Sequence, residues 1–467
     1  MEGALGVSYA GRRAIVCMKH VGMNVCADAF MGSAMTGANG GLVVTACDDP
    51  SMHSSQNEQD SRFYGKFAMM PVFEPSNQQE AYEMTRYAFD YSEMRGIPVL
   101  MRLTTRMAHS RAVVTPVDIR PENETHLPAN PRQWVTLPVN ARVRNRQLIK
   151  DYALFEEDAA ESKFNSLTDG PDHRMGVIAC GIAYNYLMEN FPDGCPYPVL
   201  KVSQYPFPRK LALKLAQMTD TILVLEEGQP LVEEMLRGVF PVATKIVGRI
   251  DETVTRDGEL SPDVVRKALG LSPLPAFQAS EVVVPRPPAL CQGCGHRDFF
   301  TALNQALEAY PNSRVFSDIG CYTLGYMAPL NALHTCVEMG SSFTMAQGAA
   351  HCGIWPSVAV LGDSTFTHSG MTGLIDAVNN KSDVVLCISD NLTTAMTGGQ
   401  DSAGTGRIET ICESLGVEKE HIRTIIPLPK NYEEMKRVIR EEIEYHGVSV
   451  IVSRRECLQT LKRHAKK

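Results

Sequence analysis

Short apolar runs, each separated from the next by a stretch long enough for a helix, recur along nearly the whole chain. They fall at 14–18, 42–46 and 99–103, then at 175–180, 199–202 and 221–225, then at 314–317, 357–361, 384–389 and 449–453. Helical periodicity lies between them, at 78–95, 209–217, 231–237, 299–309, 370–379 and 432–445, with another helix starting at Ser342. Such alternation predicts an α/β fold with mostly parallel sheets, because a parallel strand pair needs a helix-length crossover. Two stretches interrupt it. Residues 110–150 are rich in Pro, Arg and Asn and read as a linker with short helices, and residues 271–290 are proline-rich. The division expected is three domains, 1–165, 166–275 and 276–467, with a basic, frayed tail over 461–467.

The charge balance narrows the partners. Of 467 residues, 53 are acidic and 45 basic, a net charge of −8. Neither nucleic acid nor an anionic membrane is the expected partner. No run of 18 apolar residues occurs, so no membrane-spanning helix is expected. The first residues, Met-Glu-Gly-Ala-Leu-Gly, have no basic region ahead of an apolar stretch and do not read as a secretory signal. The 13 cysteines are odd in number and scattered, unlike a disulfide framework. A reducing, cytoplasmic setting is expected, with a few cysteines on metal and the rest buried. Cys336, Cys352 and Cys387 lie in apolar runs and are expected in the core.

Two strand ends carry the first chemistry. Gly362-Asp363-Ser364 follows one apolar run, and Asp390-Asn391 follows the next, with Asn391 28 positions after Asp363. In an open α/β sheet that edge binds ligands. Gly362 lets the backbone come close. Asp363, the Asn391 amide oxygen and a backbone carbonyl, read as that of Thr393, are hard oxygen donors suited to magnesium on a diphosphate. A helix starting near Gly370 would turn its positive end to the same edge. The spacing is that of the thiamine diphosphate signature.

Cys291-Gln-Gly-Cys294-Gly-His296 opens the third segment. Both sulfurs of such a turn can bind one metal centre, zinc or an iron–sulfur cluster. Zinc would need two more ligands, of which His296 is one option. A cluster would need two more cysteines. Cys321 and Cys457 each follow a strand, at the edge that holds Asp363 if the sheet is parallel.

Taken together, Cys291-x-x-Cys294-x-His, Ser-Asp-Ile-Gly-Cys321-Tyr-Thr-Leu-Gly, Gly-Asp363-Ser-Thr-Phe and Asp-Asn391-x-Thr-Thr-Ala-Met-Thr-Gly resemble the large subunit of the indolepyruvate:ferredoxin oxidoreductases. These are thiamine-dependent 2-oxoacid:ferredoxin oxidoreductases. The stretches 18–24 (Met-Lys-His-Val-Gly-Met-Asn), 36–41 (Thr-Gly-Ala-Asn-Gly-Gly) and 48–60 are similar to that subunit's pyrimidine-binding domain. The resemblance implies a pyrimidine domain over 1–165, a transketolase C-terminal-like domain over 166–275, and a diphosphate and magnesium domain over 276–467. It implies cofactor contacts from Gly340, Ser341, Gly362, Asp363, Ser364, Thr365, Asn391, Thr393 and Met396, with magnesium on Asp363, Asn391 and Thr393. Cys291, Cys294, Cys321 and Cys457 become the ligands of a [4Fe-4S] cluster.

The activity implied is oxidative decarboxylation of an aryl pyruvate, such as indolepyruvate, to an acyl-coenzyme A and carbon dioxide. Electrons leave through the cluster to ferredoxin. His20, His53 and Gln56, in loops after first-segment strands, are the candidates for substrate carboxylate or carbonyl contacts. The partner implied is a smaller (beta) subunit, in a hetero-oligomer. Two departures from the family are read here. Its large subunit ends in a ferredoxin-like domain, whereas this sequence stops ten residues after Cys457. A ferredoxin or a separate ferredoxin-like chain is therefore expected to take the electrons. The family's glutamate for the aminopyrimidine lies a few residues before the stretch matching 2–6. Its expected source is a separate N-terminal chain or a missed start codon; failing both, the protein is inactive. Glu2 is not expected to replace it, being on another helical face and at a fraying end. Two other readings stand beside this one: a thiamine-dependent decarboxylase without redox chemistry, and a zinc-stabilised non-catalytic subunit.

Overall fold

Three five-stranded sheets follow one another along the chain, each built from one of the three groups of apolar runs. The computed structural model describes residues 1–128, 134–237, 244–275 and 278–464. The first sheet contains β1 (Ala14–Lys19), β2 (Leu42–Asp48), β3 (Val72–Phe73) and β4 (Val99–Thr104). The second contains β5 (Ser166–Thr168), β6 (Gly176–Cys180) and β7 (Val199–Val202), then β9 (Thr221–Leu225) and β10 (Lys245–Val247). Strand β8 (Gln204–Tyr205) lies between β7 and β9 in the chain yet closes the first sheet, in the order β1-β2-β4-β3-β8. The second sheet runs β10-β9-β6-β7-β5. Only the edge strands β8 and β5 pair antiparallel.

The third sheet contains β11 (Arg314–Ser317), β12 (Ser357–Gly362), β13 (Val384–Asp390), β14 (Ile422–Ile425) and β15 (Val448–Arg454). Its order is β11-β12-β13-β15-β14, and every pair is parallel. Strands β12 and β13 are buried along their whole length, which explains their unbroken apolar runs.

The chain divides into two units, Met1–Phe277 and Gln278–Lys467. Within the first unit, the first two sheets share one apolar core that includes Phe73, Tyr91, Phe155, Phe164, Ile178 and Leu200. Around residue 165 the chain passes from one sheet to the next without leaving that core. Residues 276 and 277, where the second expected boundary falls, lie outside the described residues, as do 465–467 of the expected tail.

Local signals set the helices. Helix Gln78–Arg95 starts at Asn77, whose side chain accepts the Glu80 amide, and stops at Gly96, with φ 61°. Its Met84, Ala88 and Tyr91 share the buried face. Two expectations are corrected. The stretch 110–150 is not a linker with short helices. Its last third, from Pro138 on, belongs to a 24-residue helix, Pro138–Glu161, anchored by buried Leu148, Phe155 and Ala159. The tail starts as a helix, Leu458–His464, with Leu461 N bonded to Cys457 O at 2.9 Å.

Candidate functional site

Parallel strands bring their carboxyl ends to one edge, and in the third sheet that edge collects the motif residues. Gly362 of β12 is in register with Ser389 of β13, and Asp390 is in register with Arg454 of β15. Asp318 and Cys321 follow β11, Asp363 follows β12, Asn391 follows β13, and Cys457 follows β15. The helix expected from Gly370 instead begins at Asp363 and runs through a π-helical stretch, Phe366–Gly370, into helix Met371–Asn379. Asp363 thus sits in a first helical turn.

Asp363 is buried, and burial pushes its carboxyl up to about 6. Its Oδ1 accepts from the Ser364 amide at 2.7 Å, while its Oδ2 makes no hydrogen bond among the described residues. A buried carboxylate oxygen without a donor is a costly arrangement that a cation relieves. Asn391 Oδ1 accepts from the Thr393 amide at 3.2 Å. Ser364 Oγ bonds Thr394 Oγ1 at 2.6 Å, and Thr365 Oγ1 bonds the Tyr322 hydroxyl at 3.1 Å. A Cβ at Gly362 would lie 2.8 Å from the Tyr322 ring, so only glycine lets the strand end sit so close. Met396 is exposed. The donor set and the orphaned oxygen fit magnesium and a diphosphate.

Gly340 and Ser341 start helix Ser341–His351, and Gly340 has φ 95°. Their amides are already engaged: Gly340 N–H donates to Asp318 Oδ2 at 3.1 Å, and Ser341 N–H to Glu338 O at 3.2 Å. What they offer a ligand is close approach rather than free amides. Asp318 is fully buried, its carboxyl pushed up to about 6 by burial, and it also accepts from Ser342 Oγ at 2.6 Å. It anchors this helix start and was not among the residues the motif spacing selected.

Cys291, Cys294, Cys321 and Cys457 line one cavity of about 120 Å3, together with His296 and Asn391. Burial pushes the Cys321 thiol up to about 11, and the other three cysteines add to the effect. Cys294 caps helix Gly295–Leu307, which starts earlier than the periodicity suggests. Cys291 is exposed, and Gln459 Nε2 lies 3.6 Å from its sulfur. His296 is buried edge-on to Tyr322, and burial drives its ring down to about 4. The Asn391 carbonyl accepts from the Cys457 amide at 3.1 Å, so one residue touches both motifs. Among the described residues no three His, Cys, Asp or Glu side chains converge on a single-ion site. Of the three cysteines expected in the core, Cys387 is buried, but Cys336 and Cys352 are exposed. Cys352 caps the end of helix Ser341–His351 and Cys336 lies in an irregular segment, so neither is enclosed by the sheet.

The first-unit candidates lie apart in character. His20 is buried; its Nε2 donates to Asn57 O at 3.1 Å, and its Nδ1 has no hydrogen-bond partner among the described residues. Burial, and then Lys19, push its ring below the usual range, so it is neutral at pH 7. His53 turns outward onto Glu259 at 3.1 Å, and Gln56 is exposed. Among the described residues no hydrogen bond joins the three. His20 opens the helix His20–Val25 rather than lying in a loop, whereas the loop of His53 and Gln56 is folded around Asp49, which accepts from Ser54 N (2.9 Å), Ser55 Oγ (2.5 Å) and Thr105 Oγ1 (2.7 Å). Arg106 grips Glu259 with two bonds, at 2.5 and 2.7 Å.

Behind this loop lies a buried ionic network. Arg62 binds Asp60 and, at 2.9 Å, Glu226; Arg102 binds Asp48 at 2.6 Å and also Glu74. Both guanidiniums reach the Glu227 carbonyl, at 3.1 and 2.9 Å. Arg102 interrupts the apolar run of β4, the one sequence signal of this network.

Comparison with known proteins follows this geometry. Residues 318–453 match the family described as thiamine pyrophosphate enzyme, C-terminal TPP binding domain. The indolepyruvate oxidoreductase subunit IorA of Methanothermobacter thermautotrophicus is 38% identical over 98% of this chain and 78% of its own. That of Archaeoglobus fulgidus is 38% identical over 98% and 76%. A solved 2-oxoglutarate:ferredoxin oxidoreductase from Magnetococcus marinus covers 38% of this chain and 66% of its own, at 17% identity and a TM-score of 0.32, too slight a likeness to argue from. On the identity and coverage of the two subunits, and in agreement with its motifs, the chain belongs to the indolepyruvate oxidoreductase IorA subunit family.

Proposed function

We propose that this chain is the thiamine diphosphate-binding subunit of an enzyme that oxidatively decarboxylates an aryl pyruvate, indolepyruvate being the leading case. The products would be an acyl-coenzyme A and carbon dioxide, with electrons leaving through a [4Fe-4S] cluster to ferredoxin or a ferredoxin-like chain. One observation carries the reading: Asn391 lines the cysteine cavity and bonds Cys457 through its carbonyl, yet sits in the Asp363–Asn391 motif. A decarboxylase without redox chemistry leaves that pairing of sites without a purpose.

Thiamine diphosphate, when bound, supplies the electron sink for decarboxylation. Asp363, the Asn391 amide oxygen and the Thr393 carbonyl would hold its magnesium, and Gly362, Ser364, Thr365, Gly340, Ser341 and Met396 would surround it. The neutral His20 offers an acceptor at Nδ1, while His53 and Gln56 would meet the substrate carboxylate or carbonyl. The first sheet would serve as the pyrimidine domain, the second as the transketolase C-terminal-like domain, and the third as the diphosphate domain. A single zinc ion needs its ligands about 2.0–2.3 Å from one point. Four cysteines around one cavity match the ligand number of a [4Fe-4S] cluster. A smaller second subunit would complete a hetero-oligomer. A reducing cytoplasm is the setting proposed.

The test is strictly anaerobic purification with any co-encoded small subunit, followed by iron, acid-labile sulfide and zinc analysis and EPR of the reduced protein. About four iron and four sulfide per chain are expected, lost or perturbed in Cys457→Ala. Zinc in their place, or no metal after reconstitution, sinks the redox reading and leaves a decarboxylase or a non-catalytic subunit.

A further inference from the structure

A second cavity, of about 580 Å3, lies in the first unit between helix Gln78–Arg95 and the irregular segment 111–128. The segment is tied down along its length. Thr115 N–H donates to Gln79 Oε1 at 2.8 Å, Val117 N–H to the Tyr82 hydroxyl at 3.1 Å, and His126 N–H to Ala10 O at 2.9 Å. Four arginines line the space, together with one acidic residue, Glu122: Arg12 and Arg13 from the turn before β1, Arg86 from the helix, and Arg120 from the segment.

They are not equally committed. Arg13 is held by both oxygens of Glu93, at 2.8 and 2.9 Å, and Arg120 is paired with Asp90. Arg12 donates to Glu122, whose side chain is 89% exposed, and at 3.3 Å to Thr125 Oγ1, both at the exposed surface, where solvent and salt weaken the ion pair. Among the described residues Arg86 has no carboxylate partner. Four guanidiniums therefore meet three carboxylates: Arg86 is left over, and Arg12 would exchange only exposed partners to turn its forked donors inward. Such forks match phosphate oxygens. Phe89 and Pro121 add flat apolar wall. The volume lies within the range of small-molecule sites.

We propose that this cavity binds a nucleotide, its phosphate on Arg86 and Arg12 and its base against Phe89 and Pro121. The nucleotide is either free or the phosphoadenosine end of coenzyme A, and the site does not depend on the thiamine reading. The test is calorimetric titration of the full chain, with any co-purified subunit, saturated with thiamine diphosphate and magnesium at fixed ionic strength. ADP, coenzyme A and inorganic phosphate are the probes. Nucleotide binding that weakens about tenfold or more in both Arg86→Ala and Arg12→Ala, with unchanged circular dichroism, supports the site. Coenzyme A bound with the same sensitivity identifies its phosphoadenosine end as the ligand, and ADP bound without coenzyme A identifies a free nucleotide. Inorganic phosphate bound as tightly as ADP, binding of neither nucleotide, or nucleotide binding indifferent to both variants overturns the proposal.

Discussion

At the scale of single residues, Asp363 shows how a short motif becomes a site. One of its oxygens is spent on the Ser364 amide and the other is buried without a donor among the described residues. In Asp363→Asn the charge is lost but the shape is kept. Magnesium-dependent affinity for thiamine diphosphate should fall at least about tenfold, the equivalent of ~1.4 kcal/mol, in a fluorescence titration with and without the metal. Unchanged affinity would remove Asp363 from the metal site. The spacing of Asp363 and Asn391 made both legible in the sequence. Asp318 was not legible, because a lone aspartate after a strand is ordinary. Its role comes from the amides of Gly340 and Ser342, some two dozen positions away, which the fold brings to it.

At the scale of elements, the end of β9 ties the first two sheets together. Glu227, next to that strand, has its carboxyl pushed up to about 7, chiefly by burial, against an ordinary value of 4.5. The folded chain then holds this proton more tightly than the unfolded chain does. The stabilisation is complete below about pH 4.5 and is lost as pH rises through about 7. Glu227→Gln removes that loss. In urea titrations across pH 5 to 8, the midpoint of the variant should gain on that of the parent as pH rises, and parallel curves would refute the assignment. Glu226, Glu227 and Gly228 directly follow the apolar run of β9, and nothing in their neighbouring residues announces an ionic network. Their partners come from far along the chain: Arg62 pairs with the Glu226 carboxylate from 164 positions away, and Arg62 and Arg102 donate to the Glu227 carbonyl from 165 and 125 positions away. The shortest strands, β3 and β8, escaped notice for another reason: two residues carry no period.

At the scale of the molecule, two units have separate cores. Each contains one of the two tryptophans, Trp134 in the first and Trp355 in the second. Arg62→Met leaves Glu226 buried without its cation and Asp60 with Arg102 alone, a change expected to cost about 3–5 kcal/mol. In single-tryptophan backgrounds, Trp134 fluorescence should report earlier thermal unfolding while Trp355 keeps its midpoint. Equal shifts in both would mean that the two cores unfold as one.

The alternation of apolar runs and helical periods determined the α/β class, and the spacing of Asp363, Asn391 and the cysteines determined the family, because both are written in neighbouring residues. Tertiary structure alone decided which groups meet. It turned His53 onto Glu259 while burying His20, left Cys336 and Cys352 exposed, and drew Arg62 and Arg102 onto carboxylates from both sheets. Burial and long-range charge pairing depend on distances in space, and these are set only when the sheets pack.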